Sequence, residues 1–234
     1  MPGKLTGSSP TTTAKMKCGA VIVAAGRGER LKNTTPKAFI PLRSKPLCQY
    51  SLDAFLSYPK ITDIVLVIPE EKLSSFSDPK FKVVAGGASR QESVFKGLSA
   101  LECDTAWVFV HDAARPLLTA DLLDRLWESA KNGKNCIAAW PISDTVKLAQ
   151  NTTIAKTLDR QNLWGAQTPQ VFLTSVLKEA YAKAKKDNFT GTDEASLVER
   201  LGASVELVVG DPWNLKITTP QDLKLAELIL ENKL

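Results

Sequence analysis

One histidine, His111, and four scattered cysteines in 234 residues exclude much metal chemistry at the outset. A lone imidazole cannot build a multi-histidine centre. Cys18, Cys48, Cys103 and Cys136 form no CxxC pair, which argues against a zinc site and against a disulfide framework. Three of them fall in or beside apolar stretches, the pattern of buried free thiols in a reducing cytoplasm. No apolar run approaches the roughly 20 residues of a membrane-spanning helix, so a soluble, cytoplasmic chain without a membrane partner is expected. A basic block is missing too. The net charge is +5, but Lys and Arg are spread along the chain with little aromatic interleaving, which disfavours a nucleic-acid partner.

What is present is the composition of a globular protein, 44% apolar and 24% charged. Residues 18–234 have the length for a single domain with one sizeable core. Residues 1–17, rich in Ser, Thr, Gly and Lys and lacking the apolar core of a secretory signal, are expected to be a disordered tail. Short Val- and Ile-rich runs at 20–24, 64–68, 82–84, 106–110, 136–140 and 205–209 predict interior strands. Helical patterns lie between and after them, at 47–56, 90–101, 120–131, 174–185, 193–201 and 220–230. This alternation predicts an α/β domain with a largely parallel sheet, and such sheets bind ligands beyond the carboxyl ends of their strands. Residues 141–170 break the alternation. They are polar, contain Pro141 and Pro169, and read as a protruding arm.

Two segments carry chemistry. The first is Ala24-Ala25-Gly26-Arg27-Gly28-Glu29-Arg30, with Pro36-Lys37 after it, at the exit of the first strand. Glycines let the backbone approach a ligand closely, and consecutive amides in such a turn form an anion-binding concavity suited to a triphosphate. Arg30 and Lys37 add a planar fork and a point charge for phosphate oxygens. A dinucleotide-binding loop would need a third glycine where Leu31 stands, and GxxxxGK[ST] is absent. The second segment is His111-Asp112-Ala113-Ala114-Arg115-Pro116, after the fourth strand, where Asp112 is the candidate ligand for Mg²⁺. No GxSxG elbow supports hydrolase chemistry.

The glycine-rich loop with Arg30 and Lys37 resembles the signature of sugar-phosphate nucleotidyltransferases, and His111 to Pro116 resembles the metal-binding turn of the methylerythritol phosphate cytidylyltransferases. Gly86-Gly87-x-x-Arg90-x-x-Ser93-Val94, Asp144-Thr145-Val146-Lys147, Asp159-Arg160, Thr192-Asp193-Glu194 and Asn214-Leu215-Lys216 follow in that family's order. The resemblance implies a three-layer, Rossmann-like nucleotidyltransferase fold with a mostly parallel sheet and a protruding arm. It implies cytidylyl transfer from CTP to methylerythritol phosphate with Mg²⁺, by a homodimer joined through the arm. Arg30 and Lys37 would be catalytic, Ala24, Ala25, Gly26, Gly28, Gly87 and Ser93 would bind the nucleotide, and Arg115, Thr145, Arg160, Thr192 and Lys216 would bind the acceptor. Phosphate loops do not report a carbon skeleton, so ribitol 5-phosphate is an alternative acceptor. A dinucleotide-dependent oxidoreductase and a basic binding protein are the alternatives from other classes.

Overall fold

The computed structural model describes residues 16–26 and 36–232. The chain runs β1 (Cys18–Val23), a 3₁₀ turn (Lys37–Phe39), a small hairpin of β2 (Pro41–Leu42) and β3 (Lys45–Pro46), α1 (Leu47–Leu56), β4 (Ile61–Ile68) and β5 (Lys82–Ala85). It continues through α2 (Arg90–Ala100), β6 (Trp107–Asp112), α3 (Ala120–Lys131), β7 (Asn135–Pro141), β8 (Lys147–Gln150), β9 (Thr153–Thr157) and β10 (Trp164–Leu173). The last elements are α4 (Thr174–Lys186), α5 (Glu194–Glu199), β11 (Val205–Val209) and α6 (Pro220–Asn232).

Seven strands form one sheet in the order β11-β7-β10-β6-β1-β4-β5. Every neighbouring pair is parallel except those of β10, which runs antiparallel to both β6 and β7. The strands read as continuous apolar runs because both faces of the sheet are covered. Ala20, Ile22, Leu66, Ile68 and Phe109 face a core shared with Leu52 and Phe55 of α1 and Leu122, Leu123 and Leu126 of α3. Val21, Val65, Val67, Val108 and Val110 point the other way, into a core with Val94 and Leu98 of α2, Leu177 and Tyr181 of α4 and Leu197 of α5. Each such side chain, taken from water, contributes about 1.5–3 kcal/mol. The result is the α/β architecture that the alternation predicts, in the three layers that the resemblance implies.

Of the expected arm at 141–170, only part leaves the sheet. The β8–β9 hairpin is exposed throughout and pairs only with itself. Residues 164–170 instead belong to β10 at the centre of the sheet, so the expected boundary at 170 is too late. Their polarity hid them. Gln167, Thr168 and Gln170 are buried, and each is matched by a local partner. Gln167 donates to the Asp211 carbonyl, and the Thr168 hydroxyl accepts from the Asp112 amide. Gln170 donates to Asp193 and accepts from the Ala195 amide. A buried polar strand satisfied in this way has no apolar signature.

Candidate active site

The parallel strands all end at one edge of the sheet, and a cavity of about 560 Å³ opens there. Its lining joins Ala24, Ala25, Gly26 and Lys37 with Gly87, Arg90 and Ser93, and with Asp112 and Lys216. Register brings the first and third groups together: Val23 pairs with Asp112, and the Ala113 amide donates to the Val23 carbonyl at 3.0 Å. Gly86 seats the second group against the first. A Cβ placed on it would stand 2.3 Å from the Cβ of Ala25 and 3.1 Å from Ser93 Oγ.

The turn before α2 is held by reciprocal caps. Ser89 Oγ accepts from the Glu92 amide, and the Glu92 carboxylate accepts from the Ala88 amide. Ser93 Oγ accepts from the Gly87 amide at 3.0 Å and donates to the Ser89 carbonyl at 2.8 Å, so its hydroxyl shapes the turn from beneath.

Asp112, 7% exposed, is the last residue of β6. Arg90 Nε donates to its Oδ1 at 2.9 Å and Lys216 Nζ to its Oδ2 at 2.6 Å. Burial opposes ionisation, but the two cations outweigh it and hold the Asp112 carboxyl well below the usual range. Arg90 is itself forked onto Glu194, Nη1 to Oε1 at 2.9 Å and Nη2 to Oε2 at 3.0 Å. Glu194 is 1% exposed and accepts a third bond from the Tyr181 hydroxyl. Burial lowers and the two carboxylates raise the Arg90 pKa, with a net rise that keeps it charged. Neither Arg90 nor Glu194 is among the residues to which the sequence assigns a role, although both stand inside segments that it singles out.

Hydrogen bonding fixes the turn after β6. The Arg115 carbonyl can only accept, so His111 Nε2 carries the proton at 3.2 Å, and Nδ1 accepts from Thr168 Oγ1 at 3.1 Å. Thr168 Oγ1 in turn accepts from the Asp112 amide at 3.0 Å. His111 is fully buried, and burial lowers its pKa to about 4, so the ring is neutral.

The other expected site residues are placed as follows. Arg115 does not reach the cavity. Its guanidinium is buried and donates to the carbonyls of Asn214 and Ala166, tying the turn to the segment that carries Lys216. Thr145 and Arg160 are exposed at the base of the hairpin, where Arg160 donates to the Ser143 carbonyl. Thr192 is exposed and precedes α5, whose cap is Asp193. None of these four lines the cavity. Gly28 and Arg30 lie outside the described residues.

Among the described residues, no group of three or more His, Cys, Asp or Glu could form an all-protein metal cage. A single carboxylate at the cavity wall still fits Mg²⁺, which commonly binds through one or two carboxylates and completes its shell with water and substrate phosphates. Asp112 is the residue that would hold it.

A family model described as 2-C-methyl-D-erythritol 4-phosphate cytidylyltransferase matches residues 18–232. The chain is 41% identical over 225 residues to the protein of that name from Bacillus velezensis, with 92% of this chain and 97% of the relative covered. It is 43% identical over 220 residues to the one from Haemophilus influenzae, with 92% and 97% covered. The crystal structure of the enzyme of that name from Thermus thermophilus superposes with a TM-score of 0.78 at 32% identity, covering 92% of this chain and all of that one. The corresponding Francisella tularensis structure gives 0.80 at 32% identity, covering 91% and 99%.

Proposed function

Because the chain belongs to the 2-C-methyl-D-erythritol 4-phosphate cytidylyltransferase family, it transfers a cytidylyl group from CTP to 2-C-methyl-D-erythritol 4-phosphate, and we propose that the cavity at the sheet edge is where this happens. The observation that carries this reading is the convergence of the loop after β1, Lys37, the 86–93 turn, Asp112 and Lys216 on one cavity.

The chemistry follows from charge. The acceptor phosphate has a second pKa near ~6 and is mostly a dianion at neutral pH, so it attacks without a general base. Its oxygen bonds to the α-phosphorus while the bridge to the β-phosphate breaks, and pyrophosphate leaves with that electron pair. The barrier lies in bringing one polyanion against another, so positioning and neutralisation supply most of the rate. Ala24, Ala25, Gly26 and Gly28 would approach the phosphates through the backbone, with Arg30 and Lys37 offsetting charge at the α-phosphate and the leaving group. Gly87, and Ser93 through its support of the turn, would face the nucleoside. Lys216 would attract the acceptor phosphate. Mg²⁺ held on Asp112 would supply further neutralisation of the triphosphate. Arg115 would act by positioning the segment that carries Lys216.

Thr192, just before α5, would add to the acceptor site, and Thr145 and Arg160, which lie on the arm and do not line the cavity, would reach an acceptor across a homodimer joined through the β8–β9 hairpin. Leu148 and Ile154 support this, since the hairpin leaves both apolar side chains more than half exposed. Burial of the free thiols of Cys18, Cys48 and Cys136 favours a cytoplasmic setting, and no described helix is long and apolar enough to cross a membrane. The test is pyrophosphate release from each of the four ribonucleoside triphosphates with Mg²⁺, using methylerythritol phosphate and ribitol 5-phosphate as acceptors. Release confined to CTP with methylerythritol phosphate is expected. Release with ribitol 5-phosphate alone would overturn the acceptor assignment.

A further inference from the structure

Asp112 meets its two cations in different ways. Lys216 makes a point contact with Oδ2 from a side chain that is 39% exposed, and a cation arriving from the cavity can displace it. Arg90 is a rigid fork, and it is the greater obstacle. Its Nε and Nη2 could close side-on over both oxygens of a carboxylate, a bidentate pairing that an incoming metal would find hard to open. In this structure Arg90 gives Asp112 only the Nε bond: Nη1 and Nη2 each give one N–H to Glu194, and this end-on pairing fixes the position and plane of the fork, so that the second N–H of Nη2 does not close onto Asp112.

Glu194 is well built for that restraint. It is the first residue of α5, where a carboxylate is favoured by the helix dipole, and the Tyr181 hydroxyl gives Oε1 a second donor. Phe95 packs against the Tyr181 ring with centroids 5.6 Å apart, which seats the tyrosine from the other side. Glu194 is 1% exposed and does not line the cavity.

We propose that Glu194 is a positioning residue that holds the Arg90 fork away from Asp112, leaving one oxygen of Asp112 open to exchange between Lys216 and the metal of a metal–nucleotide complex. This rests on the reading of Asp112 as the metal ligand. Replacing Glu194 by Gln keeps its volume and removes its charge. Asp112 then becomes the only carboxylate partner of Arg90, and the fork swings onto it.

The experiment is calorimetric titration of the full chain with CTP, with and without Mg²⁺, which reads binding rather than turnover. Wild type is expected to bind CTP more tightly with Mg²⁺, and Asp112→Asn to lose that gain. Glu194→Gln is expected to lose tenfold or more of the Mg²⁺-dependent gain while its metal-free CTP affinity stays within about threefold of wild type. Arg90→Gln and Arg90→Gln/Glu194→Gln complete a double-mutant cycle. If Glu194 acts only by restraining Arg90, adding Glu194→Gln to Arg90→Gln changes the gain no further. A full gain in Glu194→Gln, or equal loss with and without Arg90, would overturn the role of Glu194 alone. If Glu194→Gln does not fold, the role is overturned in favour of a structural one unless Glu194→Asp, which keeps the charge, folds and restores the gain. No Mg²⁺-dependent gain in wild type, or a gain kept by Asp112→Asn, would overturn the metal reading and this inference with it.

Discussion

At the scale of single residues, two side chains have consequences that can be measured separately. In the proposed reaction Lys37 would act on charge that develops during transfer, so Lys37→Ala should lower kcat by about 10²–10³ while changing the KM for CTP far less. Steady-state kinetics with an intact kcat would remove Lys37 from the reaction. His111 acts on stability. Its folded-state pKa is lowered to about 4 from an ordinary 6.5, so the unfolded chain binds the extra proton first as pH falls. The contribution of the neutral ring is complete above pH 6.5 and is lost between there and pH 4, by up to roughly 3 kcal/mol. Urea midpoints across that interval should fall more steeply for wild type than for His111→Gln, and parallel profiles would contradict the assignment. Asp112 and Lys216 were legible in the sequence because a carboxylate at a strand exit and a lysine in a matching segment are local signals. Glu194 was not, since nothing about a glutamate at a helix start reveals an arginine 104 positions away.

At the scale of elements, the site depends on how closely the 86–93 turn approaches the loop after β1. Gly86→Ala should lower stability by about 1–3 kcal/mol, because its methyl would fall on the Cβ of Ala25, and CTP binding should weaken with it. Gly26→Ala is the control for stability. Its added methyl meets nothing within 4 Å among the described residues, and its urea midpoint should match wild type. Equal midpoints for both variants would show that the two loops can part at little cost. Elements with a clear apolar period were read almost to the residue: 47–56, 120–131 and 205–209 coincide with α1, α3 and β11. The strand β10 was missed because its buried amides and hydroxyl are paid for by hydrogen bonds rather than by apolar area. The cap of α5 is Asp193, whose Oδ1 accepts from the Ser196 amide.

At the scale of the whole molecule, no residue of the hairpin lines the cavity where the nucleotide is proposed to bind. Leu148→Glu with Ile154→Glu should shift sedimentation from dimer to monomer and raise the KM for the acceptor about tenfold or more, while calorimetric CTP affinity is retained. An unchanged sedimentation coefficient would overturn the proposed dimer through the hairpin. The α/β plan with a largely parallel sheet was legible because alternation of strand and helix is a property of the entire chain, and the three layers came with the family resemblance. Strand order was not, since it places β10 between β6 and β7 and so depends on pairings between residues far apart in the chain. That order bears on synthesis. β6 and β7 lie on either side of β10 and cannot be joined until residues 164–173 have left the ribosome, so a nascent chain of about 160 residues carries β6 with a bare hydrogen-bonding edge. The half-made enzyme is thus a natural client for chaperones until β10 fills the gap between β6 and β7, after which β11 adds to the other edge of β7.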